Sequence, residues 1–62
     1  MKKKDVIIFK NGALAGAKGT VIRLSKRTGG LTVALLEDRG AFRKGELVHV
    51  AQYDVAVVMV VR

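Results

Sequence analysis

The sequence predicts an all-β fold, a small five-stranded antiparallel barrel. Three observations carry that reading. Short runs rich in Val, Ile, Leu and Phe recur along the chain, each bounded by a polar or Gly-rich connection, which is the pattern of strands joined by turns. Nowhere do apolar residues recur at i, i+3, i+4 and i+7 over a useful length, so helix is unsupported. And a chain of 62 residues with no Cys and one His has neither disulfides nor a structural zinc to hold a small core, so it must close on itself or oligomerise.

Residues 1–4 read as a basic N-terminal arm, expected to fray because nothing apolar ties it down, and 5–62 as a single barrel domain. The organising stretch runs from Asp5 to Leu24, DVIIFKNGALAGAKGTVIRL. Val6 to Phe9 is apolar at every position, which suits a strand covered on both faces or tightly curved. Lys10 to Lys18 is a turn region opened by the dipeptide Asn11-Gly12, with Ala13, Ala15 and Ala17 small enough to let it fold back. Gly12, Gly16 and Gly19 are the structural turn glycines, placed where the backbone needs φ > 0 or close approach. Thr20 to Leu24 is the second strand, with Val21 and Leu24 inward; their spacing of three requires a bulge or bend between them.

Ser25 to Gly30 is a hairpin connection with Lys26 and Arg27 at its tip. Leu31, Val33 and Leu35 alternate with Thr32, Ala34 and Leu36 as the third strand, and Glu37-Asp38-Arg39-Gly40 is the next polar connection. Ala41 to Gly45 carries Arg43 and Lys44 into a fourth strand, Glu46 to Ala51, with Val48 and Val50 inward. Gln52-Tyr53-Asp54 reads as a short turn of 3₁₀ type. Val55 to Val61 is the closing strand, and barrel closure would remove the exposed edge that such an apolar strand presents.

Net charge is +7 and the isoelectric point about 10.4, with twelve Lys and Arg against Asp5, Glu37, Asp38, Glu46 and Asp54. On so small a domain this makes a positive field over much of the surface, and polyanions, nucleic acid first, are its natural partners. Met1-Lys2-Lys3-Lys4 resembles the basic end of a signal peptide, but Asp5 follows and Val6 to Phe9 is too short for the apolar region. The run Val55 to Val61 is far below the roughly 20 residues that span a bilayer. A soluble, cytoplasmic protein with no membrane partner is expected. Enzymatic activity has no support: His49 stands alone between Val48 and Val50, and no acid–base pair, activated nucleophile or metal-ligand spacing is present. No cofactor and no metal are expected.

At Gly12-Ala13-Leu14-Ala15-Gly16-Ala17-Lys18-Gly19-Thr20-Val21 the sequence resembles a KOW motif, found in NusG/Spt5 transcription elongation factors and several ribosomal large-subunit proteins. Asp5, Gly12, Gly16, Gly19 and Val21 match that motif position by position. The resemblance implies an SH3-like five-stranded barrel and contact with RNA or with transcription and translation machinery. It departs from the pattern in three places. Lys10 stands where an apolar residue is common, Gly12-Ala13-Leu14 replaces Gly-Pro-Phe/Tyr, and the aromatic cluster of the NusG-type domain is largely missing.

For nucleic-acid binding, Lys26 and Arg27 at one hairpin tip and Arg43 and Lys44 near the next are the leading phosphate contacts, expected to converge at one end of the barrel. Lys10 and Lys18 flank the glycine loop, whose backbone N–H groups could approach a phosphate; the alternative, favoured for Gly16 and Gly19, is that the glycines only shape the corner. Lys2, Lys3 and Lys4 would add nonspecific, salt-sensitive affinity, or serve only as a solubilising arm. Phe9 reads as core, while Phe42 and Tyr53 are each core or exposed platform. Three aromatics are few for base-by-base stacking, which favours backbone or shape contacts, as in structured RNA, over base-by-base reading. RNA is favoured over DNA as the partner, and nonspecific binding of duplex DNA is a further reading that the sequence does not separate from it. The same scarcity speaks against a groove for proline-rich peptides. The alternative is a protein-interaction adaptor, docking on RNA polymerase, a ribosomal protein or another partner, as a phage or viral accessory protein might, or self-associating through the C-terminal strand.

Overall fold

The structure, a computed structural model, describes residues 2–59, the side chain of Met59 excepted. Five strands, β1 (Val6–Phe9), β2 (Lys18–Leu24), β3 (Gly30–Leu35), β4 (Leu47–Ala51) and β5 (Val55–Met59), form one antiparallel sheet in the order β4-β3-β2-β1-β5. The strand runs read from the sequence fall on these elements, and the fold is the expected small SH3-like barrel. Residues 60 and 61 of the expected closing strand lie outside the described residues.

Alternation decides which side chains enter the core. Ile7 and Phe9 of β1, Val21 of β2, Leu31, Val33 and Leu35 of β3 and Val55 of β5 are buried. Leu24, Phe42, Val48 and Val50 pack against them. The three-residue spacing of Val21 and Leu24 is resolved by a bulge: Val21 pairs with Val33, but Arg23 pairs with Thr32, leaving Ile22 as the extra residue. Without that extra residue the period of two would turn Leu24 away from the core. A second irregularity lies between β1 and β5, where Val6 pairs with Met59 and Ile7 with Val57.

The glycine region is more structured than a turn. Residues Gly12–Leu14 form a 3₁₀ turn that drives Leu14 into the core beside Ala17, a burial the Ala-rich sequence did not announce. Gly12 has φ +80° and its missing Cβ would meet nothing within 4 Å, so only backbone strain opposes a side chain there. Gly12→Ala is therefore expected to lower unfolding free energy by about 1 kcal/mol, the cost of a left-handed residue, as read from denaturant midpoints. Gly19 corrects the sequence reading: it is no turn residue, because β2 begins at Lys18 and carries Gly19 as a buried strand position.

Two further findings concern the ends of the sheet. The arm, which has no apolar anchor, makes polar contacts with the sheet. The Lys4 amide donates to the Val21 carbonyl at 2.7 Å, and the Lys2 amide to Oδ2 of buried Asp5 at 2.8 Å. Closure is also incomplete among the described residues, since β4 pairs only with β3 and β5 only with β1. A 3₁₀ turn, Gln52–Asp54, spans the gap as the sequence led one to expect. The Gln52 amide donates to Gly29 (3.1 Å), and the Asp54 carbonyl accepts from the Lys10 amide (2.9 Å).

Candidate nucleic-acid interface

The β2–β3 hairpin presents Lys26 and Arg27 because its own polar groups close it beneath them. The Gly29 amide donates to the Ser25 carbonyl (2.9 Å), and the Thr28 hydroxyl lies 3.0 Å from that of Ser25. Gly29, at φ +71°, completes the reversal. Both basic side chains are exposed, and neither has a carboxylate partner among the described residues.

The connection between β3 and β4 is electrically different. Arg39 pairs with Glu37 at 2.9 Å. Asp38 accepts from the Lys44 amide at 2.7 Å and lies 3.9 Å from the Arg43 guanidinium, while Glu46 accepts from the Arg43 amide at 3.3 Å. Residues 36–46 thus hold three basic residues and three acids and contribute no net charge. The other nine basic residues face only Asp5 and Asp54, so the whole excess of seven lies outside this connection.

Position separates the two groups as well, which corrects the expected convergence of Lys26 and Arg27 with Arg43 and Lys44. The hairpin precedes Gly30 and the second connection follows Leu35, so they lie at opposite ends of β3. At strand rise, that is on the order of 17 Å. Lys18 belongs to the neutral end, its carbonyl accepting from the Leu36 amide at 3.0 Å, and the Arg39 guanidinium lies beside Gly16. Lys10 is linked to both ends: its neighbour Phe9 bonds with Gly16 and Ala17, while its own amide donates to Asp54, in the turn whose Gln52 amide reaches Gly29 at the base of the Lys26–Arg27 hairpin. Lys2, Lys3 and Lys4 are exposed on an arm held against Val21 of β2.

The second half of the glycine loop shapes the corner and forms no phosphate cradle. The amides of Ala15, Gly16 and Ala17 donate to the carbonyls of Gly12, Phe9 and Leu14. Spent on the turn, they are not available to an anion.

Sequence reasoning missed Arg23. It lies just past the bulge, and the register sets Arg23, Thr32 and His49 side by side across β2, β3 and β4. The Thr32 hydroxyl is 3.0 Å from Nδ1 of His49. This row borders an open groove of about 350 Å³ between the hairpin and β4. The signal that could have found Arg23 was the Val21–Leu24 spacing, since a bulge that turns Leu24 inward also re-aims its neighbours. Of the aromatics, Phe9 is core, Phe42 packs partly buried against it, and Tyr53 is 81% exposed. No group of three or more His, Asp or Glu able to hold a metal occurs among the described residues.

No family profile and no curated protein matches the chain. Among solved structures it is similar to a chain in the crystal structure of the MjSpt4:Spt5 complex in conformation B, with a TM-score of 0.84 and 22% sequence identity. The similarity covers the whole of this chain and 40% of that one. At that identity it is a likeness of fold, in agreement with the KOW-type, SH3-like barrel read from the glycine pattern.

Proposed function

We propose that this chain is a non-enzymatic, KOW-like module that binds nucleic acid, RNA in preference to DNA, within cytoplasmic transcription or translation machinery. The observation that carries the reading is the separation of charge. Residues 36–46 carry no net charge, and the whole excess of seven comes from the rest of the chain, where nine basic residues stand against only Asp5 and Asp54. An excess of this size, with Lys26 and Arg27 exposed and without carboxylate partners among the described residues, suits a phosphate backbone. The chemistry is neutralisation of phosphates by Lys2, Lys3, Lys4, Lys10, Lys26 and Arg27, with Arg27 able to hold one phosphate through two N–H donors. Release of condensed counterions then drives binding.

The expected result is a logarithmic affinity for a short structured RNA that falls linearly with the logarithm of salt, at about 0.7 to 0.9 per phosphate contacted. Fluorescence anisotropy over a salt series measures it. An affinity that does not change with salt removes the mechanism.

A second reading, docking on a protein, is favoured by a different observation. The structurally similar chain comes from a complex of Spt4 with Spt5. Here β5 is a sheet edge with Val57 and Val58 part exposed, a surface on which a partner strand could add. Analytical ultracentrifugation tests the self-associating form, which requires a dimer within the micromolar range.

A further inference from the structure

We propose that the groove between the β2–β3 hairpin and β4 is a seat for one unpaired nucleotide of a bound RNA. The inference rests on the nucleic-acid reading above and gives it a place and a preference.

The groove is lined by Arg23, Ser25, Thr32, His49 and Ala51, and also by Leu31 and Val50, whose side chains are given to the core. Its volume of about 350 Å³ is at the low end of the roughly 300–1,000 Å³ of ligand sites. A hollow of this size bordered by a few polar groups can admit a ring and fix it by hydrogen bonds. A base stacked inside a duplex cannot enter such a hollow, but an unpaired one can.

The rim offers donors and no carboxylate. Arg23 makes no hydrogen bond or ion pair among the described residues, so its guanidinium is available to a phosphate. Ser25 accepts from the Thr28 amide and its hydroxyl lies 3.0 Å from that of Thr28. With Thr28 donating, the Ser25 hydrogen remains unspent. With the Thr32 hydroxyl donating to Nδ1 of His49, the ring hydrogen sits on Nε2, a third donor. Cation, hydroxyl and imidazole beside one hollow match the anionic backbone of a nucleotide whose ring enters it.

The test compares an RNA hairpin carrying a single-nucleotide bulge with the same hairpin fully paired, using the native protein, Arg23→Gln and His49→Phe. Both positions are exposed, and circular dichroism checks each fold. The native protein is expected to bind the bulged RNA about tenfold more tightly than the paired one, and each variant to lose most of that preference, the effect of a charge-assisted or buried hydrogen bond. A preference that survives in both variants overturns the groove as the seat. Equal affinity of the native protein for the two RNAs overturns the inference and leaves the nucleic-acid reading standing. No binding of either RNA at low salt overturns both.

Discussion

Replacing Lys26 and Arg27 together by alanine is expected to weaken RNA binding at low salt by about tenfold or more, and to flatten its salt dependence by about 1.4 to 1.8 units of slope. Replacing Arg43 and Lys44 in the same way is expected to change affinity less than about threefold. Both pairs are two adjacent basic residues on a connection, and composition cannot tell them apart. Their surroundings can. Arg43 and Lys44 stand in a connection where Asp38 accepts from the Lys44 amide at 2.7 Å, and Glu37 and Glu46 cancel the remaining charge. A phosphate approaching that connection meets as many negative groups as positive ones within residues 36–46. Among the described residues Lys26 and Arg27 have no carboxylate partner; hydrogen bonds link their hairpin to the turn Gln52–Asp54, where Asp54 Oδ1 accepts from Asn11 at 3.4 Å.

Anisotropy titrations of both double variants over the same salt series decide the matter. Equal losses would mean that the bound RNA spans both ends of β3, and the neutral connection would then have to open its ion pairs to take part. No loss in the hairpin variant would remove the hairpin from the interface. Because exposed ion pairs are individually weak, the argument rests on the balance over residues 36–46 and not on any single bridge.

The strands were legible because alternation in a half-buried strand is written directly into composition. Leu31, Val33 and Leu35 are separated by less buried residues, and all three are core. The bulge was legible for the same reason, since Val21 and Leu24 cannot both face inward at a period of two. What stayed hidden depends on contacts distant in sequence. Leu14 is one apolar residue in an Ala- and Gly-rich stretch, and only the 3₁₀ turn between Gly12 and Gly16 makes it a core plug. The neutrality of residues 36–46 could be counted from the sequence. That this end stands apart from the Lys26 hairpin follows only once both connections are placed on β3. Arg23 reads as one more basic residue until the register sets it beside Thr32 and His49.

Gly19→Ala is expected to cost about 2 kcal/mol, within the roughly 1–3 kcal/mol of overpacking, and more than the purely conformational loss at Gly12. An added Cβ at Gly19 would stand 2.3 Å from Cγ1 of Val33, 3.2 Å from the Ala34 carbonyl oxygen and 3.6 Å from Cε2 of Phe9. The first contact cannot be relieved by a swing of a flexible end. Val33 is completely buried, and its γ carbon sits directly on a stiff branched Cβ. Either β2 and β3 must separate where they pair Gly19 with Leu35 and Val21 with Val33, or Val33 must leave its rotamer. Removing the obstacle should therefore remove the penalty. In Val33→Ala the core loses methyl groups and stability, but Gly19→Ala added to it should cost less than it does in the native background, a coupling of about 1 kcal/mol or more. Urea denaturation of the two single variants and the double measures that coupling. Additive losses would mean that the glycine is required for some reason other than the close approach of Val33.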